Sequence, residues 1–206
     1  MSNCIITIGR QYGAGGREIA EKLAKQLQIP LYDRKLVAFI SAHLEKGVSL
    51  DELDLTYDNL YGSVSPYETM FADLNVEDDN YLFTPQSKAI KALAEKNSGI
   101  FIGRCANFIL KDVKNAHHFF ICADDEFRKI RGTNVYHKDL ATLKKEDAKR
   151  ASYYNYYTGS TWGDCKDYDM IINVGRCGIN KAVELIANYI KSVSYTHLTL
   201  PTNSRV

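Results

Sequence analysis

Apolar positions along the chain fall into short β-branched runs that alternate with stretches of helical period. Cys4-Ile-Ile-Thr-Ile8 is a run of the first kind, stopped by Gly9, and it predicts a buried strand. From Glu18 the period changes. Ile19, Leu23 and Leu27 share one helical face, with Ala20 and Ala24 beside them. Residues 29–32 predict a second strand, with Pro30 at its edge or start, and residues 35–46 a second helix. Thr84 reads as an N-cap and Pro85 as the first position of a helix running to Lys96. Further strands are predicted at 99–103, 116–122 and 169–173. Asp124 is placed to cap a helix through Arg131. Residues 139–157 are polar, then basic, then tyrosine-rich, and residues 179–191 form a last amphipathic helix.

Five strands alternating with helices predict an α/β domain with a mostly parallel sheet covered on both faces. The grammar ends before Ser194. The last thirteen residues, 194–206, resemble translated sequencing-adapter read-through, the alternative being an ordinary flexible tail. The expected domain is therefore 1–193.

Composition narrows the function. With 206 residues and 45% hydrophobic content, the chain can bury a core without staples. Five cysteines, with no CxxC pair, argue against a zinc site or a disulfide framework and fit a reducing cytoplasm. No apolar run approaches a membrane span. The net charge of +1 gives no general attraction for nucleic acid or an anionic membrane. It hides an asymmetry. Residues 47–87 hold nine acids and no Lys or Arg, a local charge of −9 against +10 elsewhere.

The chemistry concentrates in Gly9-Arg-Gln-Tyr-Gly-Ala-Gly-Gly-Arg-Glu18, between a predicted strand and a predicted helix. Glycines there let successive N–H groups face one anion at a helix N-terminus. Three readings stand. In a modified P-loop, Gly16 occupies the usual Lys position and Glu18 stands near the usual hydroxyl, so Arg17 or Arg10 supplies the cation. In a dinucleotide site, Asp33 lies ~20 residues beyond the loop, where a ribose-binding acid belongs, but Glu18 replaces the third small residue. In the third reading the loop is only a tight turn.

The stretch from Ile5 to Ile19, followed by Ile29-Pro-Leu-Tyr-Asp-Arg34, resembles the opening of the cytidylate kinase-like family. So do Ile100-Phe-Ile-Gly-Arg-Cys-Ala106, the Tyr-rich 153–163 segment and Tyr168-Asp-Met-Ile-Ile-Asn173. The resemblance covers residues 3–192. It implies a P-loop nucleoside-monophosphate kinase fold with an acceptor-binding insertion, the acidic 47–87, and a lid, 128–163. It implies ATP and Mg2+, a CMP or dCMP acceptor, and diphosphate plus ADP as products. The alternatives are a kinase of the same fold for another small acceptor, or an inactive nucleotide-binding sensor.

By residue, the resemblance implies that Arg10, Gly13, Ala14, Gly15, Gly16, Arg17 and Glu18 face the donor phosphates. Asp33, Arg34, Arg104, Asp147 and Arg150 would serve the acceptor side. Arg17, Arg104, Arg131 and Arg150 are the expected catalytic cations, and Asp33 the expected Mg2+ residue, through water. Arg128 and Arg131 match the basic residues leading into the lid, and Asp147 with Arg150 its Asp-x-x-Arg spacing. Cys105 stands where the family has an Asp after the arginine.

Phosphoryl transfer to a phosphate needs no strong base, only cations placed around the transferring group. Arginine suits that task because its planar fork binds phosphate oxygens bidentately and keeps its charge. Plainer readings remain for individual residues. Arg128 and Arg131, at i and i+3, read singly as surface charges, and Glu18 as a first-turn acid favoured by the helix dipole. His117 and His118 alternate across a strand and read as structural. Tyr153, Tyr154, Tyr156, Tyr157 and Trp162 either stack a base or pack a lid hinge. The acids of 47–87 are expected to face solvent, leaving Tyr57, Tyr61, Tyr67, Phe71 and Tyr81 for inward contacts.

Overall fold

The computed structural model describes residues 4–53, 55, 60 and 83–196. Five strands form one sheet: β1 (Ile5–Arg10), β2 (Leu31–Tyr32), β3 (Gly99–Ile102), β4 (Ala116–Cys122) and β5 (Met170–Asn173). Their order is β2-β3-β1-β4-β5 and every pairing is parallel. The sheet is therefore wholly parallel, and all strand carboxyl ends share one edge.

β1, β2 and β3 alternate their side chains between two helical layers, the two-residue period of a pleated sheet. Ile6, Ile8, Ile100, Ile102, Phe119 and Ile121 pack on one side against α1 (Gly16–Leu27) and the long C-terminal helix. That helix contributes Ala182, Val183, Ile186 and Ile190. Ile5, Phe101 and Tyr32 face the other side. There they meet Leu36 and Ile40 of α2 (Arg34–Glu45), Ile90 and Leu93 of α3 (Phe83–Lys96), and Ala106 of α4 (Ala106–Ile109). A fully buried Ile or Leu of this kind contributes ~1.5–3 kcal/mol. The remaining elements are α5 (Asp125–Arg131), a π-helical turn (Gly132–Tyr136), α6 (Leu140–Thr158), α7 (Val174–Cys177) and α8 (Ile179–Thr196).

Element ends differ from expectation where local chemistry allows. The second strand keeps only Leu31–Tyr32, although the Pro30 carbonyl still accepts from the Ile100 N–H at 2.8 Å. Asp33 caps α2 by accepting from the Leu36 N–H at 3.0 Å, so that helix begins at Arg34. Thr84 is not an N-cap. α3 begins at Phe83, and Pro85 sits within its first turn, where no intrahelical N–H partner is needed. α8 continues beyond 191 to Thr196, because nothing between Ser192 and Thr196 breaks a helix. Asp124 and Asp139 cap α5 and α6 through Phe127 and Thr142.

Of the acidic stretch, Asp51 and Glu52 are exposed, Asp51 paired with Lys96 and Glu52 accepting from the Ser49 N–H at 2.8 Å. Tyr57, Tyr61, Tyr67, Phe71 and Tyr81, with the other seven acids and 197–206, lie outside the described residues. His117 and His118 do point apart: His117 packs edge-on to Tyr189, while His118 Nδ1 lies 2.8 Å from Thr7 Oγ1. No described helix is long and apolar enough to cross a membrane.

Candidate functional site: a glycine loop and a cationic cavity

The carboxyl end of β1 runs into the glycine loop, which closes on α1. Gly13 (φ +82°) and Gly15 (φ +81°) are left-handed, a conformation that excludes most side chains. They are also crowded: a Cβ at 13 would lie 2.9 Å from Leu143 Cδ1, and one at 15 would lie 2.9 Å from Ile179 Cδ1. α1 has no side-chain cap, so its first-turn N–H groups are available to an anion.

Segment 128–163 locks onto this loop through Tyr12. The Tyr12 N–H donates to Asp147 Oδ1 at 2.7 Å, and the Tyr12 carbonyl accepts from Arg128 Nε at 2.9 Å. Arg128 also pairs with Asp147 Oδ2. Arg128 is 4% exposed, so the surface reading of this arginine is wrong. Its i,i+3 neighbour Arg131 turns the other way, to Glu18 Oε2 at 2.9 Å. The Tyr12 ring lies between Lys138 Nζ, 5.2 Å from its centroid, and the Arg150 guanidinium at 4.8 Å. Burial raises the Asp147 carboxyl above its ordinary value, against the pull of the Tyr12 N–H and Arg128.

A second set sits on the outer rim. Arg17 Nη2 lies 3.2 Å from Asp33 Oδ2, and Arg17 Nε donates to Glu21 at 2.8 Å. Both Asp33 oxygens are thus engaged, one by Arg17 and one by the Leu36 N–H. Glu18 is held by Arg131 and by Lys22 at 3.1 Å. Slight burial pushes its carboxyl up, but these two cations outweigh that and hold it below the ordinary value. No cluster of three or more His, Cys, Asp or Glu suited to a metal occurs among the described residues.

Beside the loop, at the carboxyl ends of β1 and β3, opens a cavity of about 490 Å³. Among the described residues, Arg10, Arg34, Arg104, Arg150, Lys138 and Lys149 line it, with one carboxylate, Glu146. That carboxylate is itself bonded to Lys149 at 2.9 Å. Arg104 arrives on a turn in which Gly103 (φ +76°), Arg104 (φ +54°) and Cys105 (φ +54°) are all left-handed. Backbone of this kind is uncommon outside glycine and collects at functional sites. The Arg104 guanidinium lies 5.7 Å from the Tyr153 centroid. Burial pushes the Cys105 thiol up to about 12, so it stays protonated and is no nucleophile.

The aromatic wall divides. Tyr154 is structural: its hydroxyl donates to Asp167 at 3.2 Å, accepts from Asn107 Nδ2 at 2.9 Å, and is pushed by burial to about 12. Tyr153 and Tyr157 pack with Phe83, whereas Tyr156 is exposed on the outer face. Trp162 lines the cavity and stacks edge-on to Phe120 at 5.2 Å.

The structure therefore gathers Arg10, Arg34, Arg104 and Arg150 in the cavity. Arg17, Glu18, Asp33, Arg131 and Asp147 lie around it in ion pairs, and Gly13, Ala14, Gly15 and Gly16 form the adjoining loop. Lys138, Lys149 and Asn107 were not anticipated. A signal existed for one of them: residues 146, 149, 150, 153 and 154 share one face of α6 at helical spacing.

Comparison with known proteins agrees with this geometry. A model of the cytidylate kinase-like family matches residues 5–176. An uncharacterized protein from Eubacterium ventriosum ATCC 27560 has a crystal structure 30% identical in sequence, with a TM-score of 0.70, covering 92% of this chain and 99% of that one. Shikimate kinases from Bacteroides thetaiotaomicron (13% identity, 91% and 98% coverage) and Acinetobacter baumannii (12%, 93% and 94%) each superimpose with a TM-score of 0.50. At that identity they speak for the fold alone. No curated protein matches the sequence. The chain belongs to the cytidylate kinase-like family and is built on the P-loop kinase fold.

Proposed function

We propose that the chain is an ATP-dependent kinase that transfers a phosphoryl group to a small anionic acceptor, with CMP or dCMP the lead candidates. One observation carries this reading: Arg10, Arg34, Arg104 and Arg150 converge on one cavity beside a glycine loop, at the carboxyl ends of parallel strands. Arginine forks so placed suit phosphate oxygens, and an anionic phosphate acceptor needs no general base.

The residues fit a phosphate chain. The uncapped start of α1 and the glycines of the loop would hold the donor, and Arg34, Arg104 and Arg150 would hold the acceptor and the transferring group. Among the described residues they do not assemble a protein cage for Mg2+. Mg2+ is ordinarily held largely by substrate phosphates and water, so Asp33, with both oxygens engaged, would reach it only through water. Segment 128–163 would act as the lid and 47–87 as the acceptor-side insertion. The near-neutral charge and five free cysteines fit a cytoplasmic enzyme acting on small molecules rather than nucleic acid.

A second reading, nucleotide binding without turnover, draws on Gly16 and Glu18 at the usual Lys and hydroxyl positions. One assay separates them. Purified protein is incubated with ATP, Mg2+ and a panel of nucleoside monophosphates and small hydroxy acids, and ADP is measured. Turnover with CMP or dCMP that is lost in Arg104→Ala supports the kinase. ATP binding with no turnover on any acceptor overturns it.

A further inference from the structure

The phosphate loop lacks the lysine that usually follows its glycines, because position 16 is Gly. The side chain of Arg10 accounts for that. A Cβ built at 16 would lie 2.6 Å from Arg10 Cβ and 2.9 Å from Arg10 Cγ. The Arg10 Cβ is fixed to the backbone and cannot swing aside. Any side chain at 16 therefore collides with Arg10. At the other end, Arg10 Nη1 lies 2.2 Å from where a Cβ at 103 would be, and Gly103 is left-handed as well. The stem thus starts against the first turn of α1 and the guanidinium ends beside the turn that delivers Arg104.

We propose that Arg10 supplies, from the end of β1, the β/γ-phosphate-binding cation that other P-loops carry at position 16, and that Gly16 is glycine to let its stem pass. The assignment rests on the kinase reading for its ligand, the terminal phosphates of a nucleoside triphosphate, and on geometry for its residue. The site lies between the donor loop and Arg104, where a phosphoryl group crosses from donor to acceptor.

Charge supports the same residue. Among the described residues, Arg17, Arg128 and Arg131 each sit within ion-pair distance of a carboxylate, and Arg10 does not. Burial, then Arg150 and Arg17, pull its pKa down to about 9, with Asp33 opposing them. It remains charged at neutral pH, and its positive charge is under-compensated. A bound polyphosphate would supply the missing negative charge.

The test is a binding cycle on the full chain, read by titration calorimetry with ATP and AMP, with thermal melting as the control for folding. Arg10→Met keeps the stem and removes the charge. It is expected to weaken ATP about 10–100-fold and AMP by less than about 3-fold, the loss of one or two charge-assisted bonds to the outer phosphates. Gly16→Lys alone collides with the arginine stem, so it melts lower and binds ATP more weakly. Arg10→Gly with Gly16→Lys, which removes both Cβ and Cγ at position 10, restores ATP binding to within about 10-fold of the wild type, since charge returns from the other side of the loop. Arg10→Lys falls between the wild type and Arg10→Met.

Arg10→Met binding ATP within about 3-fold of the wild type would overturn the assignment. So would a double variant no better than either single. Both outcomes are independent of acceptor chemistry. A wild type that binds ATP and turns over nothing removes the kinase reading and leaves the Arg10 assignment to stand on the binding cycle. A wild type that turns over CMP, with Arg10→Met unaffected, does the reverse. A wild type that binds no ATP removes both.

Discussion

Arg128 and Arg104 both follow strands of the same sheet, yet they belong to different regions. Arg128 is buried in the seam between the glycine loop and α6, bonded to Asp147 and the Tyr12 carbonyl. Arg104 stands in the neighbouring cavity, which among the described residues has five other cations and one carboxylate. In the seam the arginines have acidic partners, and the pairs hold the loop in place. In the cavity the arginines border open space at the carboxyl edge of the sheet, where α/β folds receive ligands. Arginine content does not distinguish an architectural site from a ligand site. Placement does: Arg128 fills a buried seam, and Arg104 borders a cavity.

The comparison is broken most severely at the seam. Arg128→Met leaves Asp147 buried without its main partner and should cost ~3–5 kcal/mol of folding stability, measured by urea unfolding. A loss below ~1 kcal/mol would show that the seam pair is not architectural. In the cavity the expectation inverts. Arg104→Ala should lower kcat/KM for the preferred acceptor about 10²–10³-fold, ~3–4 kcal/mol, with an unchanged melting temperature. Should its melting point fall as far as that of Arg128→Met, Arg104 would join the structural class.

Smaller effects sharpen the boundary. Tyr154→Phe removes the hydroxyl that joins Asn107 to Asp167 and should cost ~1–2 kcal/mol of stability while leaving the acceptor KM unchanged. A large KM change would move Tyr154 into the binding surface. The weakest effect is on the rim. The Glu18 carboxyl is held below its ordinary value, so its contribution is fully present above pH ~4.5 and is lost as pH falls through the lower folded value. Glu18→Gln should flatten that acid-side slope slightly, and 0.5 M salt should shrink it further, because the carboxylate is partly exposed. An acid-side stability curve identical in wild type and Glu18→Gln would show that the pair contributes nothing.

Much of this was legible from the chain. The β-branched runs predicted all five strands, and the glycine loop and Arg104 stand at strand ends because such turns recur in sequence as well as in space. The seam was not legible. Arg128 and Arg131 look equivalent at i and i+3, but α5 turns Arg128 into the loop and Arg131 toward α1. Nor was the role of Arg10 decided, since its path depends on Gly16 and Gly103 lying on either side of it. Of the aromatic row, Tyr154 is buried and Tyr156 exposed only because α6 is pinned by Tyr12 and Arg150.

The sequence by itself determined the α/β architecture, the strand–glycine loop–helix unit and the kinase-like family, because period, capping and glycine angles act over a few neighbouring residues. Tertiary structure decided which arginines pack into the seam and which line the cavity. That choice turns on partners 19 residues apart for Arg128 and Asp147, 135 for Tyr12 and Asp147, and 140 for Arg10 and Arg150. Coulomb energy and desolvation depend on distance in space, and no local pattern encodes distances of that kind.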